Sequence, residues 1–431
     1  MNSNRALTVL LCTLAFALAS CGKSSSNSAN LRIVNVIPDA PAVSVQLGTN
    51  PPLVTGLLFQ QLTQYLNAPS GSQDFMVSAN GGSSFAINQT LNLGTGNFTY
   101  IVYGPVVSAT GLLLNENNLP NLNSGQFNFR VINVAAGIGP VDVYLTPLGT
   151  DLNTTSPTVA DVGFGAISAF IAINTGTLEV RATATGTKNV IYDTVPQVFA
   201  NGDSYEAVVF TKGSARLVSV AMLNDDNAGT GQVNNNLLAE FKVLNASTAG
   251  TALNVLVNGS IALSNIPYQG VSNYVTTPAG SSTFTVQATA TPGANLLTLV
   301  ATLASATDTS LVFSGPTGGL VPLVLNDNNL PPPALNARVR FVNASPGLGP
   351  IDVYVNFSNT IPNLAQNSGS IYVNETADST IGTAYEFDFN VAGTTTPVLK
   401  LPGVVIIAGH TYTVYVVGPS NAPQGVVSQD D

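Results

Sequence analysis

The chain has 431 residues, with 22 acidic against 12 basic side chains and a formal net charge of −10. So few basic groups leave no electrostatic footprint for nucleic acid or anionic headgroups, and the length exceeds what one hydrophobic core organises, so several domains are expected. Two cysteines, Cys12 and Cys21, and one histidine, His410, exclude a disulfide framework and a thiolate or imidazole metal cage in the body of the chain.

The N-terminus reads as a processing signal. Arg5 supplies positive charge, and Ala6 to Ala19 is a mostly apolar run, too short to span a bilayer. The run ends in Leu18, Ala19, Ser20 and Cys21, followed by Gly22, which resembles the bacterial lipobox. That resemblance implies cleavage before Cys21 and acylation of its sulfur, giving a lipid anchor, with sorting to the outer membrane because position 22 is not Asp. Removing residues 1–20 takes away Arg5 and no acid, so the mature chain is more acidic still. Residues 21–30, rich in Ser and Asn, read as a flexible tether.

Beyond the tether an internal repeat dominates. The segments 31–35, 129–133, 241–245 and 339–343 each read apolar, basic, apolar, apolar, Asn. Each continues through a Pro, Gly or Ala turn to a second apolar run, at 43–46, 141–144, 253–256 and 351–354. Copies one and three lie 210 residues apart, as do copies two and four, and copies two and four share Gly-Pro before Asp142-Val-Tyr and Asp352-Val-Tyr. A two-domain unit duplicated whole explains this spacing, so the first pair is expected to pack as the second does. Within the copies the pattern has period two, as in Tyr385 to Val391, which predicts strands with one buried face. A Gly turn followed by Tyr, at Gly202 and Tyr205 and at Gly409 and Tyr412, resembles the tyrosine corner of immunoglobulin-like sandwiches. The expected fold is all-β: four tandem immunoglobulin-like β-sandwiches over 31–118, 127–228, 237–330 and 337–431.

Residues 340–346 (Arg-Phe-Val-Asn-Ala-Ser-Pro), 352–355 (Asp-Val-Tyr-Val) and 408–414 (Ala-Gly-His-Thr-Tyr-Thr-Val) resemble the domain-of-unknown-function 4397 family. The fourth copy carries the closest match and the third the weakest. The resemblance implies envelope proteins with sandwich-like domains, often lipid-anchored, and brings no activity.

Residues with catalytic potential are sparse. His410 sits on a turn without a paired nucleophile, where a polar turn residue is the simpler reading. Glu386 and Asp388 share one face of a strand, and a solvated sheet face accounts for them better than paired acid–base chemistry. The repeated Asn35, Asn133, Asn245 and Asn343 are expected to satisfy the backbone of the following turn. Of the opening bases Arg32, Arg130, Lys242 and Arg340, those of copies two and four have Asp142 and Asp352 on the following strand, which suggests exposed cross-strand pairs. Copies one and three offer Ser44 and Asn254 instead, which argues against one shared ligand site. At the junctions, Glu116, Asp225, Asp226 and Asp327 follow each copy's last strand among Asn residues, as Asp430 and Asp431 do at the end. Oxygen-rich joints between tandem sandwiches are candidate Ca²⁺ ligands, weighed against plain turn formation.

The expectation is a non-catalytic envelope protein, held to the membrane by its N-terminal lipid and serving a structural, spacer or adhesive role. Its partner would be a surface, a glycan or a protein. An envelope hydrolase acting on polysaccharide or ester substrates is the alternative.

Overall fold

The structure, a computed structural model, describes residues 28–40, 42–79, 84–225, 228–248 and 250–431. Cys21 and the cleavage motif lie outside the described residues, as does Asp226.

The described chain is all-β, with eight sheets forming four tandem β-sandwiches. Each copy follows one topology. Its opening strand (Ser28–Val36, Gln126–Asn133, Leu238–Ser247 or Asn336–Asn343) lies in one sheet, and the hairpin that follows crosses to the other. The closing hairpin returns, so the opening strand runs parallel to its first arm: Ile33 opposite Tyr100, Val131 opposite Ala207, Val243 opposite Leu311, Phe341 opposite Val414. Alternating side chains from the two sheets close a separate core in each sandwich. In the fourth, Phe341 meets Phe387 edge-on at 5.3 Å between centroids.

The repeated asparagines behave as expected and are fully buried. Asn133 accepts from Ala135 N–H at 3.0 Å and donates to the carbonyls of Gly139 and Val162 at 3.0 and 2.9 Å. Asn245 does the same with Ser247, Thr251 and Ile266. One amide thus holds the turn after the opening strand and pins it to the opposite sheet. The tyrosine corners are also present. The Tyr205 and Tyr412 hydroxyls accept from the N–H groups of Ala200 and Ile407, at 3.2 and 3.1 Å.

Two expectations are corrected. Ser28, Ala29 and Asn30, expected in the tether, belong to the first sandwich, where they pair with Pro69, Ala68 and Asn67. The second sandwich runs past 228, since Gly231–Asn234 adds a strand to its sheet. Ala29 is buried opposite Ala68, and on its other side the strand pairs from Ala29 onward with Gly96 and Asn97.

The sandwiches stack in pairs, and this stacking creates the site. The sheet bearing the opening strand is apolar on both faces. In the first pair the outward faces meet through Val34, Val36 and Ile101 from one sandwich and Ile132, Val134 and Val208 from the next. In the second pair Leu244, Ala246 and Val312 meet Val342, Ala344 and Tyr415. These are equivalent positions in all four copies, so each pair is a four-layer stack of sheets with a dry seam at its centre.

The two pairs are joined by hydrogen bonds and one ion pair. Asn236, on the connection from sandwich two to three, donates to the carbonyls of Ile191 and Val218 and accepts from the N–H groups of Asp193 and Leu238. Arg216 of sandwich two pairs with Glu240 of sandwich three. The N–H of Ala215 reaches Asp308 at 3.2 Å, and that of Asn329 reaches the Gly213 carbonyl at 2.9 Å.

Candidate functional site

The opening basic residues lie inside the seams, and this overturns their assignment as exposed cross-strand pairs. Arg32 has no exposure, and Lys242 and Arg340 have 2% each. Their side chains alternate with the core-facing residues of the opening strand, so they point out of the sandwich into the contact with its neighbour. Asp142 and Asp352 lie on the other sheet and tie turns instead. Asp142 accepts from the N–H groups of Asp161 and Gly186, and Asp352 from those of Asn363 and Gly393.

All five N–H donors of Arg32 are satisfied. Nε donates to Thr99 Oγ1 at 2.7 Å, and Nη1 to the carbonyls of Asn224 and Thr230 at 2.9 Å. Nη2 donates to Glu116 Oε1 at 2.8 Å and, across the seam, to Asp225 Oδ1 at 2.7 Å. Glu206, wholly buried, takes Arg130 Nε on Oε1 at 2.5 Å. The second seam is built by exchange: Lys242 of sandwich three pairs with Asp430 of sandwich four, and Arg340 of four pairs with Asp327 of three at 2.6 Å.

An aromatic ring completes each position. The cations of Arg32, Arg130, Lys242 and Arg340 stand over Tyr65, Phe170, Tyr274 and Tyr372, at 5.2, 4.3, 4.8 and 4.9 Å from the ring centroids. The Tyr65 hydroxyl also donates to Glu116, and that of Tyr274 to Asp327 at 2.5 Å. Each copy thus presents a base, an aromatic and an acid to the seam. The aromatics were missed in the sequence, although each directly precedes a short strand and three of the four follow their base by 32 or 33 residues.

The junction acids Glu116, Asp225, Asp327 and Asp430 are the equivalent residue of each copy and are almost fully buried. Of these, Glu116 and Asp225 pair with Arg32, Asp327 with Arg340 and Asp430 with Lys242. Glu116, Glu206 and Asp225 bring one oxygen each within 4.8 Å of one another, and Arg32 Nη2 stands among them. Burial and the neighbouring Glu116 push the Asp225 carboxyl up to about 7 despite Arg32. Burial pushes Glu206 well above the usual carboxylate range, with Asp225 and Glu116 adding to it. Burial raises Asp430 as well.

The remaining candidates stay apart. His410 Nδ1 lies 3.1 Å from Asp431 Oδ1 and 3.1 Å from Gln429 Nε2, on the half-exposed turn the sequence predicted. Lys400 ties both Glu386 and Asp388, at 3.3 and 3.1 Å. The solvated-face reading fits Glu386; Asp388 is itself buried. No described helix is long and apolar enough to cross a membrane.

A family model described as Domain of unknown function (DUF4397) matches residues 29–144, 239–354 and 337–431. The first two segments are displaced by 210 residues, the duplication interval, and each spans one sandwich, the opening strand of the next and most of the strand that follows it. No curated protein matches. Among solved structures, the Bacillus anthracis TIE protein aligns over 88% of this chain and 69% of its own, at 10% identity and a TM-score of 0.16, a level that carries no argument.

Proposed function

We propose, since the chain belongs to the DUF4397 family and its sandwiches are joined without a free hinge among the described residues, that it is a lipid-anchored structural arm of the cell envelope. The observation that carries this reading is the pair of sealed seams. Apolar sheet faces and buried, ion-paired cations fix the angle between neighbouring sandwiches, as a spacer requires and a string of independent domains does not. Buried ion pairs add little net stability but penalise every wrong alignment, because a displaced partner leaves an unpaired charge in a dry site. The lipobox resemblance at Cys21 supports anchoring, and a rigid arm of this kind suits holding a surface, glycan or protein partner away from the membrane.

Three measurements test it. Cys21→Ala should release the protein from the membrane fraction and abolish incorporation of labelled palmitate; retention of both membrane association and label would refute the anchor. A protease too large to cross the outer membrane, applied to intact and lysed cells, separates surface adhesion from periplasmic scaffolding. Turnover of an ester or polysaccharide panel, lost in Asp388→Ala or His410→Ala, would replace this reading with a hydrolase.

A further inference from the structure

The two seams differ in one countable respect. The second holds Lys242 and Arg340 against Asp327 and Asp430, two cations and two anions in direct pairs, with Asp308 reached only through Asn329. The first holds Arg32 and Arg130 against Glu116, Asp225 and a third acid, Glu206. Register places Glu206 beside Arg130 where the other copies have Thr99 beside Arg32, Ser310 beside Lys242 and Thr413 beside Arg340. The hydroxyls bond within their clusters, whereas Glu206 brings a surplus negative charge. Two carboxylate oxygens of this cluster, Glu206 Oε2 and Asp225 Oδ2, are buried and make no hydrogen bond. Glu206 Oε2 lies 3.7 Å from Arg32 Nη2, whose protons are already taken by Glu116 and Asp225.

A surplus charge in a dry site must be neutralised or stay very costly. A metal ion would have to share the space with Arg32, which is fully buried and has no alternative set of acceptors. A proton fits: it neutralises one of the two idle carboxylates, whose groups bring an oxygen each within 4.8 Å of one another.

We propose that the seam between sandwiches one and two is a proton-binding site, in which Glu206 and Asp225 share one proton that keeps the seam closed near and below neutral pH. The groups facing it are Arg32 and Tyr65 from sandwich one, Glu116 from the end of its closing strand, and Arg130 from sandwich two. The raised carboxyls of Glu206 and Asp225 agree with this count of charges. The sign follows from linkage. The folded chain holds a proton that the unfolded chain releases near the ordinary carboxylate pKa of about 4, so stability falls as pH rises from there toward about 7. Above that the loss is complete and the seam carries its unpaired charge.

Burial raises other carboxyls too, Asp430 in the second seam among them. Asp308, at the joint between sandwiches two and three, is raised to about 7 by burial and by Glu240. The test therefore uses the full chain in an Asp308→Asn background. Thermal unfolding of that protein from pH 5.5 to 8.0 should show the melting temperature falling, with a flatter profile after Glu206→Gln. Infrared spectra should show a protonated carboxyl band near neutral pH that disappears at alkaline pH and is absent after Glu206→Gln. Equal pH slopes with and without Glu206 overturn the proposal. If Glu206→Gln does not fold, the infrared titration of the Asp308→Asn protein decides, and the lack of a protonated carboxyl at pH 6 to 7 is fatal. A rise in melting temperature at pH 8 with millimolar Ca²⁺, reversed by chelator and lost without Glu206, overturns it in favour of a metal ion.

Discussion

Arg32 shows how much a single side chain carries here. Its guanidinium has no exposure and five acceptors, two of them carboxylates from different sandwiches. Arg32→Met keeps much of the volume and removes the charge, leaving Glu116, Asp225 and Glu206 with one cation between them. Loss of one partner of a buried pair typically costs about 3–5 kcal/mol, so the denaturation midpoint should fall sharply. Lys400→Met, at an exposed pair, should leave it where it is. The turn asparagines offer a cleaner case. Asn245→Ala deletes three bonds, two of them to carbonyls left buried, and should cost about 1–3 kcal/mol in chemical denaturation. Spacing made these asparagines legible, because four gapless copies of Asn before a turn have one economical explanation. The role of the basic residue beside them was not legible. An Arg alternating with apolar residues reads as a solvent face until a second sandwich is known to cover it.

At the level of the strand, the sign of that cover was present but unread. Val34 and Val36 flank Asn35 on the face opposite the core, and the same positions are apolar in every copy: Ile132 and Val134, Leu244 and Ala246, Val342 and Ala344. A half-buried strand alternates, whereas these approach the continuous apolar run of a strand covered on both sides. Strands of the outer sheets keep the alternation, as Phe284, Val286 and Ala288 show beside Thr283, Thr285 and Gln287. Close packing inside a sandwich is equally demanding. A Cβ on Gly111, in the closing hairpin of the first copy, would overlap the Tyr100 ring, which rests on Phe75 at 4.1 Å. Gly111→Val should therefore overpack this core and cost about 1–3 kcal/mol, with hydrogen exchange rising first in the strands around Tyr100.

Across the whole molecule, the seams make the sandwich pair, not the sandwich, the unit of stability. Arg340→Ala leaves Asp327 of sandwich three unpaired although the change is in sandwich four. Hydrogen exchange should accelerate in both, and far less in sandwiches one and two; faster exchange confined to sandwich four would show that the seam does not couple them. The reciprocal bridges of the second seam, each sandwich lending a cation to the other's acid, are the contacts that two copies of one sandwich would make in a symmetric dimer. Tying such copies into one chain replaces a concentration-dependent encounter with a permanent one. It also lifts a restriction on drift. In a homodimer any new charge at the contact appears twice, facing itself, whereas in the fused chain it appears once. Glu206, matched by a threonine across its seam, is an asymmetry that became affordable only after fusion.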